Sequence, residues 1–90
     1  VSTLDVTFVT SDRTVWNGQA AQVVVPAVDG SMGVLPHMQP TLAILDSGEI
    51  RIIAEDGSSR STSVEGGFMS MDQNVVTIAV DHASRLESAH

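Results

Sequence analysis

This chain of 90 residues has no cysteine and no lysine, only 3% aromatic residues and only 17% charged ones. Each shortage excludes something. Without cysteine there is no disulfide framework, no thiol nucleophile and no thiolate zinc ribbon. Without lysine there is no Walker A loop, which needs an ammonium on the phosphates, and no Schiff-base chemistry. The 4 cations, all arginine, face 11 carboxylates, for a formal net charge of −7. An acidic chain is repelled by phosphate backbones, so nucleic acid and anionic lipid surfaces are disfavoured as partners. No apolar run approaches the roughly 18 residues that cross a bilayer. The segment Val1 to Asp12 lacks the positive flank of a signal peptide. What is present is a hydrophobic content of 42%, too high for a disordered chain carrying this little charge. The expectation is one small soluble domain with no mark for export.

The hydrophobic pattern has period 2. Leu4, Val6 and Phe8 share one face while Asp5 and Thr7 take the other. Ile50, Ile52 and Ala54 alternate with Glu49, Arg51 and Glu55, and Val76, Ile78 and Val80 with Val75, Thr77 and Ala79. Alternation of this kind marks half-buried antiparallel strands. Gln19–Pro26 and Thr41–Leu45 carry aliphatics on both faces and read as more fully buried strands. Asn17-Gly18, Asp29-Gly30, Ser47-Gly48, Asp56-Gly57 and Gly66-Gly67 supply turn chemistry between the runs. Asp56-Gly57 is the best hairpin, joining Glu49–Glu55 to Ser59–Glu65, a Ser/Thr/Arg-rich strand expected at an edge or on a solvated face. Short strands at this spacing predict an all-β sandwich or barrel. From Asp81 the chain loses β-branched residues, and the tail is expected as a frayed helical turn or disorder.

Catalytic signals are weak. His37, His82 and His90 have no partners at metal-ligand spacing. Asp81 adjoins His82, but neighbours on a strand point to opposite faces, and Gly30-Ser31-Met32-Gly33 is one residue short of a Gly-x-Ser-x-Gly elbow. No catalytic residue and no metal site is assigned, and no cofactor is expected. Trp16 reads as a cap on the core, with a partner-binding anchor as the alternative. Met69 and Met71 read as core packing. The stretch Asp29 to Pro40 is more informative: Gly30 and Gly33 imply a tightly folded loop, and Pro36 and Pro40 bracket a segment that is not ordinary ladder. Such a loop, carrying Met32, Val34 and Leu35, suggests a shaped surface, with a tight sandwich corner as the alternative.

These residues resemble a family. Gly30-Ser31-Met32-Gly33-Val34-Leu35-Pro36 followed by Pro40 is similar to the Gly-x-x-Gly-[Val/Ile]-Leu-Pro…Pro segment of the epsilon subunit of F-type ATP synthases. The strand Leu4–Thr10, the Val15-Trp16-Asn17-Gly18 turn and Val23-Val24-Val25-Pro26 fall in the family's order. So do Gly48-Glu49-Ile50-Arg51-Ile52, Val64-Glu65-Gly66-Gly67-Phe68-Met69 and Asn74-Val75-Val76-Thr77-Ile78. The resemblance covers residues 4–83. It implies a ten-stranded antiparallel β-sandwich of two sheets over residues 1–83, and a short tail over 84–90 without the C-terminal helical hairpin that epsilon subunits usually carry. It also implies a non-catalytic rotor subunit on the cytoplasmic side of the bacterial membrane. Its partners would be the gamma subunit and the c-ring and, through them, the alpha/beta catalytic head, with no ATP bound and no membrane insertion.

Residue by residue, Asp29, Gly30, Ser31 and Met32 match the loop that faces the c-ring in relatives, and Thr10, Met38 and Ala43 match positions near gamma. Gly18, Gly33, Pro36, Pro40, Gly66 and Gly67 match structural turn and loop positions. Met38 stands where the family often has the histidine of Pro-Gly-His-Ala-Pro, and His37 stands at the glycine. The competing readings are a stand-alone β-sandwich binding or adhesion module and a small hydrolase using a loop histidine with Asp81 or Asp29.

Overall fold

The fold was examined in a computed structural model that describes residues 3–83 and 87–89. Among them are nine strands and no helix: β1 (Leu4–Thr10), β2 (Thr14–Ala20), β3 (Gln22–Ala27), β4 (Gly30–Val34), β5 (Thr41–Leu45), β6 (Gly48–Ile53), β7 (Ser59–Asp72), β8 (Val75–Ala83) and β9 (Glu87–Ala89). Every pairing is antiparallel except β1 with β8, which run parallel.

The pairings sort the strands into two halves. In one, β2, β1, β8, the second part of β7 and β5 lie side by side. In the other, β4, β3, β6, the first part of β7 and β9 do. The 14 residues of β7 belong to both, residues 59–64 pairing with β6 and 67–71 with β5. Residues 3–83 hold eight strands where ten were expected, and β9 lies in the tail. Hydrogen bonding runs through β7 as a single nine-stranded sheet rather than two separate ones.

Alternation decides what each half buries. Leu4, Val6, Phe8, Met69, Met71, Val76, Ile78 and Val80 come from the first half, and Val23, Val25, Val34, Ile50, Ile52 and Val64 from the second; together they form one buried cluster. Each such aliphatic or aromatic side chain contributes about 1.5–3 kcal/mol when fully buried. Trp16 lies at the margin of this cluster, over Gly18, where an added Cβ would sit 2.9 Å from its ring. It caps the core, as the sequence suggested.

The bend between the halves is made at Gly66 and Gly67, with φ of 67° and 136°. A Cβ on Gly67 would lie 2.2 Å from the Ala79 carbonyl oxygen, so only glycine fits. The Gly-Gly pair is therefore a fold within one strand and not the turn expected between two. Asn17-Gly18 is likewise inside β2, where Gly18 pairs with Val6. Gly33 lies in β4, laddered to Val24, so the first half of the supposed loop is an ordinary strand.

Other turns fall as expected. Asp56 Oδ1 accepts from the Ser58 amide at 2.9 Å and from its hydroxyl at 2.7 Å, fixing the hairpin of β6 and β7 around Gly57. The β7–β8 hairpin bears its positive φ without glycine: Gln73 and Asn74 take 49° and 65° between the paired residues Asp72 and Val75.

Ser59–Glu65 takes the solvated-face alternative and is no edge, because β6 flanks it on one side and β8 and β9 on the other. Two strand readings are corrected. Gln19–Pro26 is divided at Ala21 between β2 and β3. β5 is buried on one face only. In the tail, 87–89 is extended and pairs with Ser59, Arg60 and Ser61, where a helical turn or disorder was expected. Residues 84–86 and 90, with His90, lie outside the described residues.

Candidate functional site

The two halves turn very different outer faces to solvent. On the first half the register fixes a row that crosses four strands: Ile44 of β5 opposite Phe68, Phe68 opposite Ala79, and Ala79 opposite Val9. The Val28 amide donates to the Ile44 carbonyl at 3.0 Å, which extends the row to the β3–β4 turn. Leu42 and Val75 stand on the same face, one and two rows away, with Thr77 and Ser70 between them. Exposure is 69% for Leu42, 58% for Ile44, 57% for Val28, 48% for Val75 and 43% for Phe68. These are five of the six large hydrophobic side chains exposed among the described residues; the sixth is Leu35. Monomeric proteins seldom leave contiguous apolar surface of this kind uncovered.

Aspartates close the ends of this face. Asp5 and Asp72 pair with Val75 from either side at one end. At the other, Asp46 follows Leu45, the partner of Gly67, and Asp81 follows Val80, with its carboxylate beside Gly66. The second half offers Val24, Pro26, Glu49, Arg51, Ser61, Ser63 and Glu65 outward, a mostly polar surface. Arg51 and Glu49 form a solvent-exposed ion pair there at 3.4 Å, of the sort that contributes little.

The residues matched to the c-ring loop lie together. Val28 and Asp29 form the two-residue turn between Ala27 and Gly30, and Ser31 and Met32 follow on β4. Gly30, which closes the turn, has φ of 126°, a backbone that glycine adopts without steric cost. Asp29, Gly30 and Ser31 are exposed, whereas Met32 is half-buried against the core.

The three positions matched to gamma do not cluster. Thr10 closes β1 opposite Val80, its hydroxyl donating to Asp12 Oδ1 at 2.7 Å, a bond that holds the Asp12 carboxyl below the ordinary aspartate range. Met38 precedes β5 at the other end of the same half, packed on the core, with its sulfur accepting from the Leu35 amide at 3.1 Å. Ala43 points inward and is 9% exposed, so it offers nothing to a partner. Its neighbours Leu42 and Ile44 face outward instead, and the sequence reading missed them by taking β5 as buried on both faces. A short strand aliphatic on both sides signals either two buried faces or one buried face and one exposed apolar face.

Pro36 and His37 form the turn that precedes Met38 and Pro40. His37 has φ of 69°, the backbone for which the matching family position uses glycine, and its amide donates to Asn74 Oδ1 at 2.7 Å. Asp81 and His82 are successive residues of β8, so their side chains leave opposite faces. No group of three His, Cys, Asp or Glu side chains placed to hold a metal occurs among the described residues.

Fold and face together define a class, a small antiparallel β-sandwich with one uncovered apolar face. The chain belongs to the family described as "ATP synthase, Delta/Epsilon chain, beta-sandwich domain", whose profile matches residues 3–86. Among its relatives, the ATP synthase epsilon chain of Streptomyces coelicolor is 39% identical over 80 residues, covering 89% of this chain and 64% of that one. The Micrococcus luteus epsilon chain is 38% identical, covering 89% of this chain and 88% of its own length. Thus the chain spans just under two thirds of the Streptomyces relative. A chain in the cryo-EM structure of the Euglena gracilis mitochondrial ATP synthase, OSCP/F1/c-ring, superposes with a TM-score of 0.86 at 24% identity, over 91% of this chain and 52% of that one. A second, in the Tetrahymena thermophila mitochondrial ATP synthase central stalk/c-ring, gives 0.74 at 16% identity, over 91% of this chain and 66% of that one. At those identities the two structures speak for the fold.

Proposed function

We propose that this domain is a non-catalytic rotor component of an F-type ATP synthase, docked by its apolar face on the gamma subunit and turned by its β3–β4 hairpin toward the c-ring. In that position it joins stalk to ring, so that proton-driven rotation reaches the alpha/beta head as torque. It works at the cytoplasmic side of the membrane, without inserting into it.

The observation that carries this reading is the apolar row from Val28 through Ile44, Phe68 and Ala79 to Val9, widened by Leu42 and Val75. An interface needs an apolar centre, low in charge, inside a polar rim. This face has both, and β4 hands the c-ring loop to its margin through the Val28 turn. A close-packed sandwich interior is weakly compressible, which suits transmission of load. No nucleotide pocket enters the reading.

Calorimetric titration with purified gamma subunit tests it. Micromolar or tighter binding that is lost in Leu42→Asp, with no heat on adding ATP, is the expected result. A folded domain that does not bind gamma contradicts the proposal, and an ATP isotherm contradicts its nucleotide-free part.

A further inference from the structure

We propose that the hollow beside Phe68 and Ala79 is a socket for one basic side chain of the docked partner, an arginine best of all; this rests on the docking reading above. In the row Ile44–Phe68–Ala79–Val9, Ala79 contributes a single methyl between two larger neighbours. Beside it Gly67 contributes no side chain, since its backbone is pressed against the Ala79 carbonyl. The row therefore dips. The result is an open depression of about 250 Å³ whose lining includes Val9, Gly67, Phe68, Ala79 and Asp81.

The lining selects the occupant. Asp81 follows Ala79 by two residues on β8, so the register puts it on the same side, about 7 Å along the strand. An apolar knob would fill the floor but bury the approach to a carboxylate, and an acidic one would meet like charge. An arginine can lay its methylenes along Val9 and Ala79, set its guanidinium by the Phe68 ring and reach the Asp81 carboxylate. The aspartates at both ends of the face favour the same sign of partner charge. The described arginines of this chain lie elsewhere. Arg51 pairs with Glu49 on the opposite face, Arg13 donates to the Ala83 carbonyl at 3.3 Å, and Arg60 lies in the first part of β7 opposite Ile52.

The test is titration of purified gamma subunit with the wild-type domain and four variants at low and high salt, each first shown by thermal melting to fold. Asp81→Asn should weaken binding about tenfold at low salt and flatten its salt dependence. Ala79→Leu, which fills the hollow without changing charge, should weaken it comparably. Glu55→Gln, in the exposed β6–β7 turn of the other half, should stay within about twofold of wild type. Wild-type affinity for Asp81→Asn at both salts overturns the socket, whatever Ala79→Leu does. If Leu42→Asp fails to bind in that experiment, the docking face stands and only the socket falls. If Leu42→Asp binds as wild type does, the docking reading fails and takes the socket with it.

Discussion

β7 furnishes both outer faces of this sandwich, and the two could hardly differ more. Its first part sends Ser61, Ser63 and Glu65 outward beside Glu49 and Arg51, while its second part sends Phe68 and Ser70 outward beside Leu42, Ile44 and Ala79. Both parts bury side chains on the inner side, Thr62 and Val64 in the first and Met69 and Met71 in the second. Core packing therefore cannot explain the outer contrast, since the fold would stand with two polar faces. An apolar outer face that the fold does not need is a surface kept for something else, and that comparison underlies the docking assignment.

Removing the bend that separates the faces should have the largest effect. Gly67→Ala places a methyl 2.2 Å from the Ala79 carbonyl oxygen at a φ of 136°. It should destabilise the domain by about 3 kcal/mol or more, lowering Tm by at least about 12 °C. A melt within a few degrees of wild type would mean that β7 can bend elsewhere. Next, Ile44→Asp and Ser63→Asp put the same charge on exposed positions of the two faces. Both should melt close to wild type, but the first should lose about thirtyfold or more in affinity for gamma and the second none. Equal losses would erase the distinction between the faces.

A smaller change touches the turn before β5. His37→Gly relieves a left-handed backbone in a residue with a Cβ, and should stabilise by about 0.5–1 kcal/mol, raising Tm by about 4 °C. The smallest effects are electrostatic and arise in one turn of each half. Asp12 is held below its ordinary titration range chiefly by the Thr10 hydroxyl, and Asp56 by the Ser58 hydroxyl and then the Ser58 amide. Groups with depressed folded values add stability above the unfolded carboxylate range, and that stability is lost as pH falls through the folded value. Both are fully exposed, so the contribution is slight. NMR titration should find the Asp12 carboxyl moving upward in Thr10→Val and the Asp56 carboxyl moving upward in Ser58→Ala, each leaving the other unchanged.

How far the sequence spoke is clearest strand by strand. Leu4-Val6-Phe8 and Val76-Ile78-Val80 announced their inner faces, because alternation reflects which side is wet. β5 misled because Leu42 and Ile44 are apolar yet exposed, and hydropathy does not tell a side buried in the core from one facing outward. Gly66-Gly67 and Asn17-Gly18 look like turns because glycine signals freedom of φ or lack of bulk; here the first serves a bend and the second a Trp16 ring that needs room. Gln73-Asn74 went unread because its positive φ is borne without glycine. Asp29 to Met32 lie together at the β3–β4 hairpin, whereas Ala43 points inward, since a family position near a partner does not say which way a strand's side chain points.

The most direct measurement is a methyl NMR spectrum of the domain recorded with and without purified gamma subunit. The outer faces carry reporters of the same chemistry: Val28, Leu42, Ile44 and Val75 on one, Val24 and Ile53 on the other. The account predicts large shifts or broadening confined to the first group, with Val24 and Ile53 unmoved. Perturbation centred on Val24 and Ile53, with Leu42 and Ile44 unchanged, would contradict it.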